Sequence, residues 1–420
     1  MKALRIERRL VRFAAARIAS SIGSGRGAGI GPLRLVDVSN PNPPTPGWHA
    51  VTPILAGICG SDLATVDGRS SRYFEGVVSF PFIPGHEIVG RLVVDGIDAN
   101  GTNLSAGSRV VIQPVLGCAA RGLSLCAACS TGDVGRCGHL SHGHLQPGLQ
   151  TGYCSDTGGG WSEGPLWAHA SQIFAVPDAL SDDDAVTVEP MACALHAAIR
   201  ARYQPDDVVG IIGAGTLGLG VLTSIAFLDE TTRVTRPRQV IVGARYPVQR
   251  QLATTLGADE VVSPSHLSRS IRAATRSLVA GRPDGRNGQL LGGANVVIDC
   301  VGSEASLTEA LSMVAPGGRI ILVGMPGRVT IDLASLWHRE VELIGAYAYG
   351  TEHCARGSER TFDLAIEMAG AKKTGQFVSA RYSLDHFEEA LAHAGAAGPR
   401  GAVKIVFEAT PSRTTTKREG

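Results

Sequence analysis

The stretch DVVGIIGAGTLGLGVLTSIAFL, residues 207–228, decides the fold. It opens with an apolar run of strand length, turns through glycines, and continues as an apolar segment of helix length. Gly213, Gly215 and Gly218 form a G-x-G-x-x-G turn, with Thr216 and Leu217 inside it. Between a strand and a helix, the first glycine permits the tight turn and the second lets backbone approach a pyrophosphate. The third lets helix pack on strand, and the helix start offers free N–H groups to the phosphates. The stretch predicts a dinucleotide site.

On its C-terminal side follow QVIVGA (239–244), a helix ending at LGA (256–258), EVV, NVVIDCVG (295–302) and RIILVG (319–324) after the turn APGG. Strands alternating with helices imply an α/β, doubly wound parallel sheet. Past about 345 the texture is mixed, with YAYG, helices near 358–371 and 384–395, and a last strand VKIVFE. On the N-terminal side, SDDDAVTVEPMACALHAAIRARY (181–203) begins with Ser and acids, as a helix does. The first 175 residues hold short alternating runs such as HAVTPILA and EIVGRLVV between turn residues, a β-barrel or sandwich pattern.

The bulk composition excludes several functions. The chain has 420 residues, 44% hydrophobic and 18% charged, with a net charge of +1. That length suits two domains, and the charge predicts neither a nucleic-acid nor a membrane partner. An apolar run of about 18 residues, enough for a spanning helix, is absent from the sequence. RRLVRFAAARIASSIGSGRG (8–27) is rich in Arg, Ala and Ser without an acid, as a transit peptide is. Yet KALRI before it and LRLVDV (33–38) after it alternate like strands, so residues 7–32 are read as an insertion in a hairpin and the chain as cytoplasmic.

The strand QVIVG ends where an acid ordinarily bonds the adenine ribose. Gly243, Ala244 and Arg245 stand there instead. A missing acid and an added guanidinium favour a 2′-phosphate, and so NADP(H) over NAD(H). Tyr246 and Arg250 suit either cofactor, and Arg245 stacked on adenine would leave NAD acceptable.

Cys59 in GICGSD (57–62) and His86 in PGHE (84–87) offer the thiolate and imidazole that zinc accepts, with Glu87 and Glu189 (in VEPMACALHA) as carboxylate candidates. Each has a plainer reading as a packed thiol, a satisfied loop histidine or a helix-start acid. Four of nine cysteines, Cys118, Cys126, Cys129 and Cys137, fall within twenty residues, a metal-binding density. Cys154, Cys193, Cys300 and Cys354 read as packing residues, His196 as a core or interface histidine, and His49 as an exposed turn residue.

Taken together, GICGSD, PGHE, the cysteine cluster, VEPMACALHA, GAGTLG and APGGRIILVGMPG resemble the zinc-dependent medium-chain alcohol and polyol dehydrogenases over nearly the whole chain. The resemblance implies a GroES-like β-barrel catalytic domain (1–178), a Rossmann domain (179–345) and a return to the catalytic domain (346–410); the polar composition of the tail (411–420) predicts disorder there. It implies Cys59 and His86 as catalytic zinc ligands, with Glu189 as the third, or with Glu87 binding directly and Glu189 holding a zinc-bound water. Asp62 would orient His86, and Ser61 would accept the alcohol's proton. The family often carries a histidine five residues after this cysteine; Ala64 stands there, so the relay needs another route, with Tyr73 as one candidate.

The same resemblance makes Cys118, Cys126, Cys129 and Cys137 a structural zinc site, although Cys118 lies five residues further upstream of Cys126 than the pattern has it. His139 or His142 could complete a three-cysteine set instead. The implied substrate is a small alcohol or carbonyl compound, and the assembly a homodimer or homotetramer, with ELIGAYAYG (342–350) as a pairing edge. Residues 70–82, Trp161, Tyr347 and Tyr349 are candidate pocket walls. A zinc-free reductase of activated double bonds and a non-catalytic nucleotide-binding member are the alternatives.

Overall fold

The computed structural model describes residues 1–281 and 288–409, so the expected tail at 411–420 lies outside the described residues. A six-stranded sheet runs in the order 260–262, 239–243, 208–212, 294–299, 314–322, 342–345. Every pairing in it is parallel. Numbered along the chain this is 3-2-1-4-5-6, whose order reverses beside the strand Val208–Ile212. That strand feeds Gly213, whose φ of +90° only glycine adopts without strain. Local signals set the flanking helices. Pro247 opens Pro247–Thr255, and the Ser303 hydroxyl accepts from the Ser306 N–H to cap Glu304–Met313.

The second sheet has seven strands, built around Trp48–Gly57. Lys404–Glu408 joins it between Trp48–Gly57 and Val378–Tyr382, so the last described strand returns to the sheet of the N-terminal part. The register sets Val406 opposite Gly57 and Phe407 opposite Ala56. His49, expected in an exposed turn, is half-buried in this strand, which already begins at Trp48 and pairs with Leu166–His169.

Helix Val188–Arg200 packs on helices Thr216–Glu230 and Thr361–Lys372. Met191, Leu195, Leu219, Leu222 and Met368 share one buried core. Gly220 permits the approach, because a Cβ there would lie 2.8 Å from Ala194 Cβ. This core joins the nucleotide turn to the sheet that carries Cys59 and His86.

Lys2–Ile6 pairs antiparallel with Leu33–Asp37, and the segment between them holds helix Leu10–Ala19. Residues 23–31 dock on buried Asp67, which accepts from the N–H groups of Gly25 (2.9 Å) and Gly27 (3.2 Å) and the hydroxyl of Ser24 (3.1 Å). Glu342–Gly345 is the outermost strand of the parallel sheet. No helix of the described residues is long and apolar enough to cross a membrane.

Candidate active site

Cys59 precedes helix Gly60–Val66, and its N–H donates to Asp62 Oδ2 at 2.9 Å. The other oxygen of Asp62 lies 3.4 Å from His86 Nδ1 and accepts from the Tyr153 hydroxyl at 3.2 Å. Asp62, His86 and Glu87 are all buried. One donor atom each from Cys59, His86 and Glu87 converge within 4.8 Å of one another. Buried thiol, imidazole and carboxylate in one small volume are a donor set that zinc accepts, and three protein donors leave a coordination position for substrate.

Charge is concentrated here. Glu87 Oε2 is paired with Lys404 Nζ, which also donates to Ile58 O at 3.1 Å. A side chain at Gly57 would collide with Glu87, so the glycine of GICGSD makes room for the carboxylate. Burial acts to lower the Lys404 value, but the charges of Glu87 and Cys59 outweigh it and hold the ammonium above its ordinary range. Burial likewise acts against charge on His86, and Asp62 and Cys59 overcome it, raising the imidazole well above its usual value. A metal held by Cys59, His86 and Glu87 would take His86 as the neutral imidazole, so its binding there would compete with protons.

Glu189 stands in the first turn of Val188–Arg200, outside the converging trio among the described residues. It accepts from the Tyr349 hydroxyl at 3.2 Å and the Cys193 thiol at 3.7 Å. Burial, opposed by His86 and reinforced by Glu87, pushes its carboxyl up to about 7.

Among the remaining candidates, Ser61 is half-buried in the first turn after Cys59. Tyr73 is 82% exposed and meets Phe74 edge-on in the short surface helix Arg72–Val77, whereas Asp62 is buried. Trp161 is fully buried, donates to Gly57 O at 3.1 Å and packs edge-on against Phe407, so it is core and not pocket wall. Tyr347 reaches Gln150 Oε1 at 3.4 Å. His196 lies 2.6 Å from Glu352 Oε1, as a histidine at a packing interface should.

Sequence reasoning missed Lys404 and Tyr153. A lone lysine in the apolar strand KIVFE was the available signal for the first. Nothing local marked the second, whose hydroxyl meets Asp62 and Thr65 across 91 and 88 residues.

At the dinucleotide turn, a Cβ on Gly218 would collide with Gly213 O, whereas one on Gly215 would meet open space. Gly215 caps helix Thr216–Glu230 without a side-chain hydrogen bond, leaving its first N–H groups facing outward. Leu217 occupies the first turn, and Thr216 reaches Val403 O at 3.4 Å. Ala244 is buried at the end of the neighbouring strand, Arg245 is exposed beyond it, and Arg250 Nε donates back to Ala244 O at 2.9 Å.

The sulfurs of Cys118, Cys126, Cys129 and Cys137 also gather within 4.8 Å. His139 Nδ1 lies 3.2 Å from Cys118 Sγ, so the histidine borders the four thiols. The long interval after Cys118 folds around Arg121, a fully buried guanidinium that donates to Leu116 O (3.0 Å), His142 O (3.0 Å) and Gly148 O (2.6 Å). N–H groups of Cys129 and Gly138 lower the Cys126 thiol to about 6, whereas burial raises Cys129 and Cys137.

Residues 45–178 match the alcohol dehydrogenase GroES-like domain, and residues 237–362 match the zinc-binding dehydrogenase domain. The chain belongs to the zinc-dependent medium-chain alcohol and polyol dehydrogenase family. It is 26% identical to the sorbitol dehydrogenase of Bacillus subtilis (strain 168) over 81% of this chain and 84% of that one. The L-idonate 5-dehydrogenase of Vitis vinifera is 25% identical, over 84% and 85%. The structure of galactitol-1-phosphate dehydrogenase from Escherichia coli superposes with a TM-score of 0.67 at 20% identity, covering 97% of this chain and 100% of that one, a likeness of fold. As a member of the family the chain is an alcohol or polyol oxidoreductase working with zinc and a nicotinamide dinucleotide.

Proposed function

We propose that the protein exchanges hydride between a secondary alcohol or polyol and NADP(H), at a zinc held by Cys59, His86 and Glu87 with Glu189 beside it. The observation that carries this reading is the convergence of those three buried donor atoms within 4.8 Å. Zinc bound there would supply Lewis-acid polarisation of the substrate oxygen.

The chain's own groups do the rest. Asp62 fixes the ring orientation of His86. The alcohol gives its carbinol hydride to the nicotinamide and its hydroxyl proton to Ser61, leaving a carbonyl, reduced dinucleotide and one proton. That proton leaves through hydroxyls: Tyr153, then Thr65 Oγ1 at 3.5 Å, then the half-buried Ser70 Oγ at 2.9 Å. This path replaces the histidine for which Ala64 stands. Burial raises Tyr153 well above its ordinary value despite the hydroxyls of Thr65 and Ser61, so it relays by exchanging protons and not by ionising.

Gly213, Gly215, Thr216, Leu217 and Gly218 hold the pyrophosphate, and Arg245, with Arg250 and Ala244 behind it, receives the 2′-phosphate. Cys118, Cys126, Cys129 and Cys137 hold a second, structural zinc. None of the nine cysteines is joined in a disulfide, which suits the reducing cytoplasm. Pairing of Glu342–Gly345 with its counterpart would give the homodimer, or within two such pairs the homotetramer.

The test is metal content with steady-state kinetics on secondary alcohols, polyols and primary alcohols, using NADP and NAD separately. Two zincs per chain and a higher kcat/KM with NADP are expected. Cys59→Ser should abolish turnover while dinucleotide binding survives. Arg245→Ala should cut kcat/KM for NADP about tenfold or more, the scale of one charge-assisted hydrogen bond. NAD winning in the wild type would overturn the cofactor assignment alone; turnover surviving in Cys59→Ser would overturn the zinc mechanism.

A further inference from the structure

Helix Leu10–Ala19 carries its apolar side outward. Ala16 is buried and Phe13 packs edge-on against Phe80, while Leu10, Val11 and Ile18 are 78%, 83% and 76% exposed. With Ala14 they form one contiguous arc of the helix. Ile22, 82% exposed in the turn that follows, extends it. Scattered exposed leucines are ordinary, but an aliphatic stripe aimed at solvent on a small helix marks an interaction face.

The face is held firmly. The segment after the helix is bound to Asp67, and Arg69 bridges that carboxylate and the Ser24 hydroxyl at 2.8 and 2.6 Å. It is therefore a fixed platform.

Its surroundings are cationic. Between positions 8 and 36 the sequence has six arginines and no acid. Arg9 is paired with Glu7 and the exposed Glu388 lies against Gly29, which leaves Arg8, Arg17 and Arg26 as exposed cations of the segment. A two-fold contact between two copies through this face would set these same cations against each other, which disfavours self-association. An apolar stripe rimmed by arginines matches the boundary between anionic headgroups and acyl chains. The whole-chain net charge of +1, which gave no reason to expect a membrane partner, averages this local excess away.

We propose that the outward face of helix Leu10–Ala19 docks the protein peripherally on an anionic phospholipid surface, the aliphatic side chains entering the headgroup layer and the arginines meeting the phosphates. The inference is independent of the zinc site.

The full chain would be sedimented with phosphatidylcholine vesicles and with vesicles also containing phosphatidylglycerol, at low and high salt. The wild type is expected to sediment with the anionic vesicles only and to be released by salt. Leu10→Ser/Ile18→Ser and Arg8→Gln/Arg17→Gln, all at exposed positions, should each lower partitioning about tenfold or more and leave turnover in solution unchanged. Failure of the wild type to bind anionic vesicles, or equal binding by both double variants, overturns the proposal. So does a fall in particle mass by light scattering in Leu10→Ser/Ile18→Ser with no vesicle binding by the wild type, which would make the face a contact between copies.

Discussion

Lys404 Nζ is paired with Glu87 Oε2 in the buried floor of the site, so the last described strand, Lys404–Glu408, neutralises a carboxylate set beside His86. Both side chains are almost fully enclosed, at 3% and 1% exposure, so screening by water is small.

Breaking this pair should be costly in the metal-free protein. Lys404→Met is expected to lower unfolding free energy by about 3–5 kcal/mol, because Glu87 is left as an uncompensated buried charge. Glu87→Gln/Lys404→Met should cost less than the sum of the single changes. Urea denaturation measures both. A divalent cation would restore the missing positive charge, so added zinc should stabilise Lys404→Met more than wild type. Equal stabilisation would separate Lys404 from the metal site.

The hydroxyl path gives a second expectation. Tyr153→Phe keeps the ring that packs beside His86 and Phe82 but removes the group joining Asp62 to Thr65. Turnover should fall by about tenfold or more, as a positioned proton carrier is worth. The solvent isotope effect should rise, and imidazole added to the assay should restore part of the rate. Ser70→Ala should show the same signs more weakly, since water can reach its place. A fall in rate with neither isotope effect nor rescue would make Tyr153 only a support for Asp62.

These sites were unequally legible in the sequence. The parallel sheet and the dinucleotide turn were readable because their signals are local: a strand, three glycines and a helix within 22 residues. Cys59, His86 and Glu87 were readable as residue types, while their meeting is a product of tertiary structure. Sequence left Glu87 and Glu189 equivalent, whereas their surroundings differ: Gly57 clears space for Glu87 beside Cys59 and His86, and Tyr349 and Cys193 engage Glu189. The interval after Cys118 looked irregular because spacing alone does not reveal that a buried arginine can organise a longer loop through carbonyl oxygens. Trp161 was misread for a related reason: its buried contacts with Gly57 and Phe407 come from distant strands.

Glu189 supplies the pH dependence. Its carboxyl is raised to about 7 in the folded chain, chiefly by burial, against a reference of 4.5. A carboxyl that holds its proton more tightly when folded makes stability decline as pH rises from about 4.5 to about 7, where the folded protein must release it. Glu189→Gln keeps the shape and stays neutral throughout. In metal-free protein its melting temperature should therefore match wild type near pH 5 and exceed it by several degrees at pH 8, the gap opening between those values. Zinc should narrow the gap at pH 8, because a nearby cation favours the charged carboxylate of the wild type and gives nothing comparable to the amide. Thermal melts at both pH values, with and without zinc, read the four states directly. A gap independent of pH would mean that Glu189 does not ionise in this range, and a gap unaffected by zinc would place the metal too far away to sense it.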